Sequence, residues 1–386
     1  MFKKWKVTVF VLSLLSNCLF IPTSIYFINY LGGPKYVLNK FKKRTTSIIH
    51  SEDDHTIWTD VKDIGINGKG WDDQIDFYNR LPDYAKSEIP KSIWKRSIHT
   101  AGLYVHFVSD STFIKARWVI SENVKMHHMA ETGSAGVDLY ARDGSTWRWA
   151  GMGCPTKFNN SDVLISNMEP TQKEFILYLP LYNGIESIEL GISPNSVLQR
   201  TTNWDHKKPI CFYGTSITQG GCASRPGMAY PAILGRWLNC PTINLGFSDT
   251  GRMEKEMAIL LSEIDARIFV IDCLPNMRND EVDEKALVFV EILRQSCPDV
   301  PILLVDSNFK QNGWILSGKI EKTKTYRNVY EHFFTAGDEN IFYLKGDGIV
   351  GLDSEASVDG IHLTDLGFMR LAKNIYISVQ NIPDLF

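Results

Sequence analysis

The chain has 386 residues, 44% hydrophobic and 22% charged, the balance of a folded protein with one large domain or two ordinary ones. That excludes a long disordered chain, a collagen-like repeat and a coiled coil. A net charge of −3 argues against a nucleic-acid partner, which would call for a basic surplus. Seven cysteines, with no C-x-x-C pair and no zinc spacing, exclude a disulfide scaffold. Packed or free thiols are expected, and no metal or cofactor.

The first element is apolar. Lys3, Lys4 and Lys6 precede a stretch from Val7 to Pro34 without a charged side chain. A membrane span needs roughly 20 mostly apolar residues, so 1–34 reads as a signal peptide or membrane anchor. Cleavage and retention both stay open, because no small-x-small site follows and Pro22 sits in the middle. Lipidation at Cys18 is a weaker option. Lys35, Lys40, Lys42, Lys43 and Arg44 would keep the body inside, whereas a basic-start signal would export it. The protein is therefore expected to be exported or membrane-anchored, with the side left open.

Residues 35–57 are polar and basic and read as a linker. From 58 to 200 short alternating runs recur, at 103–108, 113–120, 137–141, 175–179 and 187–192, each bounded by turn residues. This pattern predicts an antiparallel β-sandwich. From 205 to 386 the texture changes to α/β. Compact apolar strands at 210–213, 242–245, 268–271, 302–305 and 341–344 alternate with helical stretches at 229–238, 254–264, 283–295, 319–334 and 364–379. Such alternation predicts βαβ units and a parallel sheet covered on both faces. Its functional site belongs at the carboxyl ends of the strands.

Those ends carry a constellation. Ser216 follows the first strand, near the start of a helix, where free N–H groups favour developing negative charge. It is not the G-x-S-x-G elbow, since Thr218 stands where that pattern needs glycine. After the second strand, 246–251 is a small-residue loop able to present backbone N–H groups. After the third, Asn276 follows a proline. Near the C-terminus Asp359 stands three residues ahead of His362, so the carboxylate can orient the imidazole and leave it free to take a proton from Ser216.

The runs 213–220, 244–248, Leu274-Pro275-Asn276 and Asp359-Gly360-Ile361-His362 resemble the blocks of the SGNH (GDSL-type) hydrolases. The strings 225–230, 346–348 and 364–369 are similar to the branch with an N-terminal β-domain bearing a Gly-x-Asp-Leu-Tyr motif. Here that motif is Gly136-Val137-Asp138-Leu139-Tyr140, followed by Trp147-Arg148-Trp149 and 179–184. The resemblance spans about 58–380. It implies a flavodoxin-like, three-layer hydrolase domain behind the β-sandwich, with Ser216 as nucleophile, His362 as general base and acid, and Asp359 orienting it. It also implies an oxyanion hole from the Asn276 side chain and the backbone N–H groups of Ser216 and Asp249. Asp249 departs from the family, which places glycine there. A carboxylate beside an oxyanion opposes catalysis unless it points away, and a φ above zero suits Asp less well than Gly.

The other candidates have plainer readings. On a strand His127 and His128 would face opposite ways, so no metal site is expected of them. Residues 126–132 could instead form a loop overhanging the cleft. Tyr140, Trp147 and Trp149 read as sandwich core rather than a sugar platform, Cys222 as a packed thiol, and Asp306 as a structural hydrogen-bonding residue. The expected function is hydrolysis of a small acyl ester, acetyl above all, on a small molecule or carbohydrate. An acyltransferase acting on an envelope glycan and a non-catalytic binding protein are the alternatives.

Overall fold

The structure is a computed structural model of the chain and describes residues 55–72, 76–307, 310–315 and 321–386. The expected signal or anchor and nearly all of the linker lie outside the described residues. Among the described residues no helix is long and apolar enough to cross a membrane.

The N-terminal half supplies strands β1 (Ile57–Asp60), β2 (Tyr104–Ser109), β3 (Ile114–Ile120), β4 (Val137–Asp143), β5 (Thr146–Gly153), β6 (Asn159–Ile165), β7 (Lys173–Tyr178), β8 (Ile185–Ile192) and β9 (Leu198–Arg200). They form two antiparallel sheets, in the orders β1-β8-β3-β6 and β5-β4-β7-β2-β9. Alternation places Val105, Phe107, Leu139 and Leu177 on the inner face of one sheet, against Ala116, Trp118, Ile188 and Leu190 of the other. Short helices α1 (Val61–Ile64), α2 (Lys91–Ser97) and α3 (Glu131–Ser134) fill the connections.

The C-terminal half builds the parallel sheet from β10 (Ile210–Gly214), β11 (Thr242–Gly246), β12 (Ile268–Asp272), β13 (Ile302–Val305) and β14 (Ile341–Leu344), in the order β11-β10-β12-β13-β14. The first three strands are buried along their whole length, as a sheet covered on both faces requires. Its helices are α4 (Ser216–Gln219), α5 (Tyr230–Leu238), α6 (Lys255–Leu261), α7 (Asn279–Ser296), α8 (Glu321–Thr335) and α9 (Asp365–Gln380). Ile233, Leu234, Leu371 and Ile375 of α5 and α9 pack on one face. Met257, Leu260, Val290, Leu293 and Tyr326 of α6, α7 and α8 pack on the other. Strand order reverses between β10 and β12, which opens the crevice beyond their carboxyl ends.

The two halves meet across the outer face of the β2–β4–β7 sheet. Tyr104, Tyr140, Trp147, Ile176 and Tyr178 pack there with Trp204 and with Ala232 of α5. This corrects the expectation for the aromatic residues. Tyr140 and Trp147 are buried in the seam rather than inside the sandwich, because strand alternation puts them opposite Leu139. Trp149 is 52% exposed. The seam is held by Asp138 of the Gly-x-Asp-Leu-Tyr motif, which has no exposed surface. Its carboxylate accepts hydrogen bonds from Trp149 Nε1 (3.0 Å), Arg225 (2.8 Å) and the backbone N–H of Gly227 (2.8 Å). Burial pushes the carboxyl above the usual range, against the pull of Arg225 and the Gly227 N–H. A Cβ at Gly227 would lie 2.4 Å from the Tyr140 ring, so only glycine lets this loop reach the motif.

Removing one partner of a buried ion pair typically costs about 3–5 kcal/mol. Asp138→Ala should therefore lower the unfolding free energy by about that amount in a urea titration at neutral pH. A loss below about 1 kcal/mol, the scale of an exposed pair, would show that the carboxylate does not hold the seam.

Candidate active site

Ser216 opens α4 directly beyond β10. Thr215 caps that helix by accepting the Ile217 N–H at 3.2 Å. The turn is pressed onto the sheet: a Cβ at Gly246 would lie 2.1 Å from the Gln219 nitrogen. Ser216 is buried, 6% exposed. Its Oγ lies 2.9 Å from His362 Nε2, and His362 Nδ1 lies 2.7 Å from Asp359 Oδ2. The other carboxylate oxygen of Asp359 accepts the N–H groups of His362 (2.8 Å) and Ile361 (3.0 Å). Burial opposes ionisation of Asp359, but these bonds outweigh it and hold the carboxyl down at about 2. An ionised Asp359 only accepts, so Nδ1 carries the proton and Nε2 presents its lone pair to the serine hydroxyl. Ser216, His362 and Asp359 are thus brought together in the order a nucleophile, base and orienting carboxylate require.

Of the expected oxyanion residues Asp249 lies in the neighbouring 247–251 loop, to which the serine turn and Asn276 are both bonded. Gln219 of α4 accepts the Ser248 N–H at 2.8 Å, tying the 247–251 loop to the serine turn. The Asn276 side-chain amide donates to the Thr250 carbonyl in the same loop. That leaves its second N–H for another acceptor. Asp249 adopts φ +63°, the left-handed region in which glycine is at ease. Its side chain is 78% exposed and pairs with Arg96 of α2 at 2.7 Å. The carboxylate is therefore directed to the guanidinium, and the backbone holds the left-handed conformation that glycine adopts most readily.

Three supporting residues escaped the sequence reading. Arg80 is buried and donates to the carbonyls of Asn244 (3.0 Å) and Gly246 (2.8 Å), bracing the end of β11. Gln219 also donates to Leu181 O (2.8 Å) and contacts His99 Nδ1 (3.1 Å). Gln311 braces the Asp359 loop, its side-chain oxygen accepting from Ala356 and Ser357 and its N–H donating to Gly360 O. Gln219 lies within the matching run, so its position was legible; Arg80 and Gln311 are distant in sequence and carry no local signal.

Behind the site, Asp272 ends β12 fully buried. Burial raises its carboxyl to about 7, against hydrogen bonds from Ser307, Tyr230 and Thr218. Asp306 bonds Thr323 and Tyr343, a structural role. Cys222 is buried, and burial followed by the nearby Asp359 pushes its thiol up to about 12, as fits a packed thiol. The cysteines among the described residues are free. His127 and His128 lie in a turn, not a strand, so the argument from opposite faces does not apply. The His128 ring comes within 5.6 Å of the His362 ring, so the 126–132 segment does overhang the site.

The model of the GDSL-like lipase/acylhydrolase family matches residues 207–380, and that of the N-terminus of Esterase_SGNH_hydro-type matches 56–198. The solved structure of a protein described as a GDSL-like lipase from Bacteroides ovatus is 33% identical. It superposes with a TM-score of 0.80 over 85% of this chain and 98% of the other. The chain belongs to the SGNH (GDSL-like) hydrolase family. It is an ester-hydrolysing enzyme with an α/β hydrolase domain behind antiparallel sheets. Two more distant structures share the fold of this hydrolase. One is the salicylyl-acyltransferase SsfX3 from a tetracycline biosynthetic pathway, 19% identical, TM-score 0.66, covering 87% of this chain and 97% of the other. The other is an acetyl xylan esterase from the rumen bacterium Butyrivibrio proteoclasticus, 13% identical, TM-score 0.52, covering 86% of this chain and all of the other. No curated protein sequence matches the hydrolase.

Two outcomes are expected of the site. A carboxyl raised to about 7 in the folded state and ordinary in the unfolded one stabilises fully below about pH 4, and that stabilisation is lost as pH rises through about 7. Melting temperature should accordingly lose this contribution between about pH 4 and 7, and Asp272→Asn should flatten that slope. An unchanged slope in the variant would assign the pH dependence to other groups. Removing the Arg96 guanidinium frees Asp249 to turn toward the oxyanion position. Arg96→Ala should lower kcat by about 10-fold with KM little changed, which is about 1.4 kcal/mol of barrier. In an Asp249→Gly background the same substitution should have almost no effect on kcat; equal losses in both backgrounds would refute the coupling.

Proposed function

We propose that this hydrolase is a serine esterase that removes small acyl groups, acetyl above all, from a carbohydrate through a Ser216 acyl-enzyme. The observation that carries the reading is the ordered pair of contacts, Ser216 Oγ to His362 Nε2 at 2.9 Å and His362 Nδ1 to Asp359 at 2.7 Å. Ser216 Oγ attacks the ester carbonyl as its proton passes to Nε2, and the carbonyl π pair moves onto oxygen. Asn276 and the backbone N–H groups of Ser216 and Asp249 receive that oxyanion. Collapse breaks the ester C–O bond, and the leaving alkoxide takes the proton from His362. Water then loses a proton to Nε2, attacks the acyl-serine and releases the carboxylic acid, while Ser216 recovers its proton. Asp359 stays ionised throughout and holds the imidazolium.

The acetyl and carbohydrate parts draw support from the shared fold, since its distant members include an acetyl xylan esterase. Pairing of Asp249 with Arg96 removes the one sequence feature that spoke for a disabled site. Export or membrane attachment through residues 1–34 belongs to the same proposal and rests on the apolar run alone.

The test treats the full-length chain with a fluorophosphonate and then with acetylated glycans, with and without glycan acceptors. A stoichiometric adduct on Ser216, absent in Ser216→Ala, together with acetate release reduced by about 10⁴–10⁶-fold in that variant, is the expected result. Asn276→Ala should lose about 10²–10³ in kcat. Transfer to acceptor that outruns hydrolysis would replace the esterase reading with an acyltransferase. A folded protein that takes no label would overturn both.

A further inference from the structure

The histidine pair at 127–128 has no part in the proposed chemistry, yet one member stands over it. His128 lies in a turn of the overhanging segment, half-buried, and its Nδ1 is buried without a hydrogen-bond partner. Its ring stands 5.6 Å from the His362 ring, tilted by 60°. Cys222 closes the group from the loop after α4, in which a Cβ at Gly221 would already touch His362 Cδ2 at 3.2 Å. One ligand atom from each of His128, Cys222 and His362 lies within 4.8 Å of the other two.

We propose that His128, Cys222 and His362 form a binding site for a thiophilic divalent cation of the Zn²⁺ type, and that its occupation switches the hydrolase off. Two imidazoles and a thiol are the donors such an ion selects, whereas Mg²⁺ and Ca²⁺ take oxygen. With bonds of about 2.0–2.3 Å, tetrahedral ligands stand about 3.3–3.6 Å apart, so the group must close by about 1 Å. His128 sits in a turn and not on a strand, which is where such an adjustment costs least. His362 is already oriented for the task. Its Nδ1–H donates to Asp359, as a metal-bound histidine donates its second N–H to a carboxylate, and its Nε2 lone pair, held at rest by the Ser216 hydroxyl at 2.9 Å, is the one an ion would take over. The ion bonds Nε2 and the Cys222 thiolate, and the thiol proton leaves to solvent. Ser216 Oγ or water completes the shell.

The inhibition follows from one lone pair. Nε2 must accept the Ser216 proton during attack, and a metal bound there removes that base. The ion therefore competes with catalysis rather than assisting it. This consequence rests on the esterase reading; the metal site does not.

Co²⁺ reports the site without any substrate. Titrated into the full-length chain, it should bind one to one and give a thiolate-to-cobalt charge-transfer band with tetrahedral d–d transitions. Both should vanish in Cys222→Ser and weaken in His128→Gln. In parallel, Zn²⁺ should block fluorophosphonate labelling of Ser216 by more than 10-fold, and EDTA should restore it. His128→Gln should raise the Zn²⁺ concentration needed by more than the ~10–100-fold typical of losing an outer-shell partner. Should Cys222→Ser fail to fold, since Cys222 is buried at φ +73°, the half-buried His128 still carries the test. A band that survives both substitutions would place the ion elsewhere, for instance at the exposed Cys154, and would overturn the proposal. So would the absence of any thiolate band. A chain that shows the band but is never labelled at Ser216 would keep the site and discard the esterase reading with its switch.

Discussion

The hydrogen bond between Ser216 Oγ and His362 Nε2 joins residues 146 positions apart, and much of the described architecture serves to keep it short. One end is anchored in the buried centre of the parallel sheet, since β10 lies between β11 and β12 with every residue buried. The other end is a half-exposed loop with no strand or helix of its own, and it needs bracing. Asp359 supplies part of that by accepting two backbone N–H groups beside the imidazole, and Gln311 supplies the rest. A rigid nucleophile and a braced but accessible base make a sound arrangement for a proton that must move repeatedly.

The β-sheet half is joined to this machinery through charge as well as through apolar area. A carboxylate as deeply buried as Asp138 is costly unless its oxygens are filled, and Trp149, Arg225 and Gly227 fill them. Arg225 and Gly227 follow closely on the serine turn, so the motif that marks the N-terminal half is tied to the segment that follows the nucleophile. The same half contributes His128 above His362 and Arg96 beside Asp249. The site is therefore shared, and the accessory half does more than decorate the hydrolase.

Asp249 shows how a local rule can be broken and compensated elsewhere. Its φ of +63° and its charge are both unfavourable at this place in the loop. Arg96 takes up the carboxylate from another helix, and Gln219 holds the preceding residue, so the backbone keeps the course that glycine would give it. An exposed ion pair contributes little to stability. Its value here is directional, because it decides which way a negative charge points.

Much of the site was legible from the order of residues along the chain. Period-two alternation identified the sheets of the N-terminal half, and the alternation of buried strands with helices identified the parallel sheet. Ser216 and Asn276 stood just beyond strand ends, where an open parallel sheet places its site, and Asp359 and His362 stood together just ahead of the last helix. These features are local or topological, so they survive in one dimension. What only tertiary structure decided was every contact between segments with no shared pattern: Arg80 on β11, Gln311 on the Asp359 loop, Arg96 on Asp249 and His128 over His362. Tyr140 and Trp147 were rightly judged buried but assigned to the wrong side of their sheet. Alternation tells which residues share a face, but not which body covers that face. Hydrogen bonds and ion pairs depend on distances of a few ångströms between atoms far apart in the chain, and those distances exist only once the core has packed.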